Sequence, residues 1–330
     1  MGADTLRMQP IRRLAAALIV VLAVVPMAAA KEPAGGAVAV ANARGLDVVS
    51  SLTGERLRVL VWQPPGAVPE QGFPVLYAFD GDESFGLLTD LAAGLAPAAR
   101  RAGLRPTMVV AIGYRPGEGT VERRIHDLTP AAERHVMPDR PNGQPWPRLG
   151  GGDAFLETIE KDVKPLVSGS FPVDETAETL FGHSLGGLMT LHALMTRPGG
   201  FDRYFVSSPS LWVNDRQALR DMEAFLEGGD ETAARIPVRL TVGSDEEELS
   251  AWDLRAGGDL AIRERWMKNN RMVGNARDLA ALIEARDGKS GGERLDFGFA
   301  VLDGFDHGSA RGVAALRALG FAIDAAIDGE

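Results

Sequence analysis

Cysteine is absent from all 330 residues, so neither a disulfide framework nor a thiolate metal site is available. Positive charge is in short supply: 35 Lys and Arg stand against 45 Asp and Glu, a net charge of −10. That balance argues against nucleic acid or an anionic membrane surface as the main partner, and an anionic small substrate would need a local basic pocket. No internal repeat occurs, and no long apolar run follows the first thirty residues, so no transmembrane span is expected beyond them.

Those thirty residues have the features of an export signal. Arg7, Arg12 and Arg13 make a positive start, Leu14 to Val25 is an apolar run, and Ala28-Ala29-Ala30 supplies small residues for cleavage. The run is about a dozen residues, where roughly 20 are needed to span a bilayer. The expectation is therefore a signal peptide over 1–30, then a single domain over 31–330 located in the periplasm or secreted. Export without disulfides is consistent with a bacterial periplasm.

Past that point strand and helix patterns alternate. Strands are predicted at Arg56–Trp62, Val75–Phe79, Thr107–Ile112, Glu178–Phe181, Arg203–Val206, Val238–Val242 and Leu295–Val301. Helices are predicted at Leu87–Ala96, Ala154–Lys164 capped by Asp153, Leu185–Thr196, Arg216–Leu226, Ala276–Arg286 and Ala310–Ile327. Alternation of this kind gives a mostly parallel sheet with helices on both faces, and its ligand site lies beyond the carboxyl ends of the strands. Residues 114–150, rich in Pro, Gly and charge, read as a long functional loop.

Gly182-His183-Ser184-Leu185-Gly186 fits G-x-S-x-G between an apolar strand and an apolar helix. A tight strand-to-helix turn there presents the Ser184 hydroxyl at a helix N-terminus, where backbone N–H groups can receive an oxyanion. The serine needs a general base. Of the five histidines, His183 adjoins the nucleophile and reads as packing, His192 lies within the following helix, and His126 and His135 precede the serine in the long loop. His307, after the last strand and before the last helix, holds the position that the serine–acid–histidine order assigns to the base. The acid should follow Val238–Val242, where Asp245-Glu246-Glu247-Glu248 offers four carboxylates; Glu246 is favoured, Asp245 is second, and a bare Ser–His dyad remains open. Backbone N–H groups of Leu185 and Asp82 are expected to form the oxyanion hole.

These segments resemble the putative-esterase family of α/β-hydrolases, in particular its siderophore-esterase branch. The resemblance runs from about Val75 to Phe321. It is carried by Leu76-Tyr77-Ala78-Phe79-Asp80-Gly81-Asp82, Ile112-Gly113-Tyr114, Arg124-Ile125-His126-Asp127-Leu128-Thr129-Pro130, Gly150 to Leu156, the Ser184 turn, Ser208-Pro209-Ser210-Leu211-Trp212 and the His307 loop. It implies an α/β-hydrolase fold, Ser184 and His307 as catalytic serine and histidine, and ester hydrolysis of catecholate trilactone siderophores such as enterobactin or bacillibactin. A ferric catecholate is anionic and aromatic, so Arg124 and Trp212 are candidates for its cation and its flat apolar wall. The mechanism calls for no metal or organic cofactor. Rival readings are a general carboxylesterase or acyltransferase on simple acyl or feruloyl esters, and a non-catalytic siderophore binder on a hydrolase scaffold.

Overall fold

The computed structural model describes residues 39–115, 117–118, 120–228, 235–287 and 294–326. The expected signal peptide lies outside the described residues. Val40 onward forms one compact unit. Among the described residues no helix is long and apolar enough to cross a membrane.

Eight strands form one sheet: β1 (Ala43–Val49), β2 (Arg56–Trp62), β3 (Phe73–Ala78), β4 (Met108–Gly113), β5 (Val173–His183), β6 (Arg203–Ser207), β7 (Ile236–Gly243) and β8 (Leu295–Leu302). Their spatial order is β1-β2-β4-β3-β5-β6-β7-β8. The β1–β2 and β2–β4 pairs are antiparallel and all the others parallel. Every residue of β3 and β4 is buried, as expected for parallel strands covered on both faces. Their side chains alternate between two cores. Val75, Tyr77, Val110 and Ile112 join Phe155, Leu188 and Leu279 on one face. Leu76, Ala78, Val109 and Ala111 join Leu88, Ala318 and Leu319 on the other.

The second face is covered by α1 (Gly81–Arg101) and α10 (His307–Ile323). The first carries α3 (Gly152–Thr158), α5 (Leu185–Thr196), α6 (Gln217–Glu227) and α9 (Met272–Arg286). Helix α3 passes through one wider turn at Ile159–Val163 into α4 (Lys164–Ser168). This is the mostly parallel sheet with helices on both faces that the strand–helix alternation predicts, and it agrees with the α/β-hydrolase fold that the resemblance implies.

The differences are local and have physical causes. Helix α1 runs through Pro97, because buried Ala96 and Ala99 hold its last turn on the sheet, and packing offsets the hydrogen bond proline removes. Asp153 does not cap α3. Gly151 takes that position, and the Asp153 carboxylate accepts from His192 Nε2 at 2.7 Å. The long loop contains α2 (Thr120–Asp127), a mostly polar helix that buries Ile125 in the core and is otherwise held by ion pairs. The segment after β7 forms α7 (Ala251–Ala256) and α8 (Leu260–Asn270), both lacking a clear apolar period. Strand β1 is not among the predicted strands; it is an edge strand, mostly exposed, and pairs along its length with β2.

Candidate active site

Strand β5 ends at His183 and α5 begins at Leu185, so the chain reverses on one residue. Ser184 takes φ 62° and ψ −118°, a region costing about 1–3 kcal/mol for a residue with a side chain. The turn closes only because Gly182 has no side chain: a β-carbon there would lie 2.1 Å from the carbonyl oxygen of Gly186. The strain is held by backbone hydrogen bonds from Ser184 N–H to Ser207 O and from Ser210 N–H to Ser184 O, both 3.0 Å. The hydroxyl is thereby presented beyond the strand ends, 3.0 Å from His307 Nε2 and 3.3 Å from Ser210 Oγ.

His307 is the first residue of α10, whose start is fixed by Asp306 and Ser309 in a reciprocal capping box. Its Nδ1 lies 2.6 Å from Glu246 Oε2. Glu246 is buried, and its Oε1 accepts from Ser208 Oγ at 2.5 Å and from Gly243 N–H at 2.7 Å. These bonds satisfy and orient the carboxylate where solvent cannot. The His307 loop comes close enough because Gly243 leaves room: a β-carbon there would stand 2.2 Å from Phe305 O. Ser184, His307 and Glu246 therefore form one hydrogen-bonded chain.

Asp245, the second candidate for the acid, is not part of it. Its carboxylate accepts from Ser244 Oγ at 2.5 Å, while its N–H donates to Phe305 O at 3.1 Å. The turn after β7 points only one of two adjacent side chains inward. Asp245→Asn is accordingly expected to change kcat/KM by less than about threefold, measured on any turned-over ester alongside Glu246→Gln. The open alternative of a bare dyad is not what the structure contains. His126, His135 and His192 are paired with Asp127, Pro130 O and Asp153, away from Ser184.

His183 packs, as the sequence suggests, but it packs against the catalytic base, where a side chain directed away from the site is the expectation: its ring centroid is 4.6 Å from that of His307, and its Nδ1 lies 2.9 Å from Ser207 Oγ. Burial, followed by repulsion from His307 and from the Arg311 and Arg124 cations, pushes its pKa well below 6.5. A depressed histidine pKa adds stability that is full above the unfolded value and lost as pH falls through the folded value. Unfolding free energy should thus decline on acidification below about 6.5, and His183→Asn should flatten that slope. Urea denaturation at pH about 8 and about 5 reads the difference.

The second helix start at the site is that of α1. Asp80, at φ 57°, is its cap residue, and the first N–H groups, on Gly81 and Asp82, have no intrahelical acceptor. Asp82 lies against Gly113 at the end of β4, while Phe79 and the Asp80 carboxylate lie against Gly186 of α5. The free N–H ends of α1 and α5, including those of Asp82 and Leu185, therefore adjoin.

Arg124, expected to face the substrate, is committed to Asp80: its Nε and Nη2 donate to the two carboxylate oxygens at 2.6 and 2.8 Å. Burial raises the Asp80 pKa, and the guanidinium holds it down. A buried carboxylate in this turn needs that counter-charge, so Arg124 braces the loop instead of offering a free cation. Trp212 is half-buried on the turn after β6, in contact with two further indole rings. A cavity of about 730 Å³ lies to one side, between the β1–β2 turn, α2 and α3, and none of Ser184, His307 and Glu246 lines it. Among the described residues no cluster of His, Asp and Glu could hold a metal ion.

Sequence reasoning missed His183, Asp80, Ser208 and Ser210 as site residues. The two serines lie within the Ser208–Trp212 segment that carried the resemblance, but only the β6–β7 crossing turns their hydroxyls towards Glu246 and Ser184.

A strained serine at a strand–helix turn, hydrogen-bonded through histidine to a buried carboxylate on this sheet, defines a serine hydrolase of the α/β-hydrolase class. The chain belongs to the family described as "Putative esterase", which matches residues 50–274. It is 29% identical over 265 residues to the ferri-bacillibactin esterase of Bacillus subtilis, covering 80% of this chain and 84% of that one. It is 37% identical over 215 residues to the siderophore triacetylfusarinine C esterase of Aspergillus fumigatus, covering 64% and 69%. Its fold superposes on the siderophore hydrolase EstA from Aspergillus nidulans with a TM-score of 0.75 and 29% identity, over 90% of this chain and 99% of that one.

Proposed function

We propose that this chain is an exported serine esterase that opens the ester backbone of a siderophore through an acyl-enzyme. The observation that carries the chemistry is the unbroken hydrogen-bonded chain from Ser184 Oγ through His307 to Glu246 Oε2. The relatives' activities support the substrate class, and the charge and hydropathy pattern of residues 1–30 supports export.

In this reading His307 Nε2 takes the Ser184 proton as the oxygen attacks the ester carbonyl. Glu246 stabilises the imidazolium and fixes its tautomer. Negative charge developing on the carbonyl oxygen falls among the unpaired N–H groups of Leu185 and Asp82, at two adjoining helix N-termini. The imidazolium then returns its proton to the leaving alkoxide, and the same histidine activates the water that releases the acid. Iron enters only as cargo of the substrate.

The test incubates the enzyme, and its Ser184→Ala variant, with an iron-loaded catecholate trilactone and follows linear products by mass spectrometry. Ser184-dependent opening is expected. Absence of opening together with rapid hydrolysis of simple acyl esters would keep the serine mechanism and remove the siderophore substrate.

A further inference from the structure

Three of the five tryptophans meet at one place although they lie far apart in the chain. The Trp146 and Trp212 ring centroids are 5.8 Å apart, those of Trp212 and Trp266 5.5 Å, and those of Trp146 and Trp266 6.3 Å. Trp62, by contrast, is closed off in the core. These three indoles are each only partly buried, so the cluster leaves aromatic surface that a ligand ring can reach.

Each ring is tied to the catalytic residues by its own segment. Trp212 stands two residues after Ser210, whose hydroxyl is 3.3 Å from Ser184 Oγ, so its Cα is within about 7 Å of that of Ser210. Trp266 is on α8, in the excursion that leaves the sheet at Glu246 and is fastened back beside it by Gly274 N–H to Glu247 Oε1 at 2.8 Å. Trp146 belongs to the loop before α3. That loop is joined to the Trp212 turn by Val136 N–H donating to Asn214 Oδ1 at 3.0 Å. The Trp146 ring is further oriented by Nε1 donating to Pro138 O at 2.7 Å, and the Arg140 guanidinium lies 5.3 Å from its centroid.

We propose that Trp146, Trp212 and Trp266 form the aryl-binding wall of the Ser184 site, taking a flat aromatic arm of the ester substrate in preference to an aliphatic one. The inference deepens the siderophore-esterase reading and rests on it. The two named relatives act on bacillibactin and on triacetylfusarinine C, so family membership alone leaves the kind of arm open. Indole faces and edges fit another ring in offset or edge-to-face contact, a geometry an alkyl arm cannot match. Arg140 places a cation at the rim, which suits an arm bearing negative charge.

Binding is measured calorimetrically in the Ser184→Ala background, where no ester is cleaved. The probes are iron-loaded enterobactin, with catecholate arms, and iron-loaded triacetylfusarinine C, with aliphatic hydroxamate arms. Adding Trp146→Leu or Trp266→Leu is expected to raise Kd for ferric enterobactin by about tenfold or more. Trp→Phe at the same positions, which keeps an aromatic face and guards against misfolding, should cost less than about threefold, and ferric triacetylfusarinine C should move less than about twofold. Trp252→Phe, on the exposed α7, serves as the unaffected control. Equal losses for both complexes, no loss for either, or no binding of either would overturn the wall. Aryl-selective binding without opening of the lactone by the unmodified enzyme would support the wall and defeat the siderophore-esterase reading instead.

Discussion

Ser184→Ala and His307→Ala are each expected to lower kcat by about 10⁴- to 10⁶-fold, and the double variant to lose no more than the worse single one. The reason lies in how the two groups are used. The Ser184 hydroxyl is a poor nucleophile unless its proton leaves during attack, and the acceptor stands 3.0 Å away as His307 Nε2. Removing either partner removes the step, so the second deletion finds nothing left to destroy. Residual activity would come from substrate binding and from the N–H groups at the two helix starts. Additive losses in the double variant would mean that the groups act independently, and the hydrogen-bonded chain would then not be the catalytic unit.

Stability should move differently at the same residue. Ala keeps the β-carbon and with it the strain of φ 62°, ψ −118°. Gly releases it, so Ser184→Gly should unfold at higher denaturant than Ser184→Ala, by about 1 kcal/mol or more. Both should be inactive, which separates the energetic cost of the turn from the chemistry it supports.

The parts of this site legible in the sequence are those written locally or in chain order. The G-x-S-x-G turn is local, since Gly182 and Ser184 act on their immediate neighbours. His307 followed from order and scarcity, because only one of five histidines lies after the last strand. Glu246 was legible as one of a run of four carboxylates, but the choice between it and Asp245 depends on which way the turn after β7 faces. Beyond that, chain order carries no signal. Asp80 meets Arg124 across 44 residues, Ser208 meets Glu246 across 38, and Trp146 meets Trp266 through a turn belonging to neither. The missed elements have the same origin. Helices α7 and α8 lack an apolar stripe, and α2 contributes one apolar side chain, Ile125, to the core; ion pairs and capping side chains do the rest, whereas α5 is apolar all round and stood out at once.

Glu246→Gln is expected to lower kcat by about 10⁴-fold, the scale known for the corresponding acid-to-amide change in another serine hydrolase, while leaving the fold intact. The hydrogen bonds dictate which way the amide must turn. Oε1 receives two donors, Ser208 Oγ–H and Gly243 N–H, so the amide oxygen must take that position and the NH₂ group falls at the place of Oε2. There it faces His307 Nδ1, now 2.6 Å from a donor. The imidazole can accept that bond only with its proton on Nε2, and a protonated Nε2 cannot take the proton of Ser184. The loss is therefore one of tautomer, with His307 still in place. A low-field proton resonance from His307 Nδ1–H should be present in the parent protein and absent from the variant. Ser208→Ala leaves the carboxylate facing His307 Nδ1 with one donor fewer on its other oxygen, so it should keep the resonance and lose far less activity, about tenfold. If Glu246→Gln kept both its activity and the resonance, Glu246 would be a structural carboxylate and the working unit would reduce to Ser184 and His307.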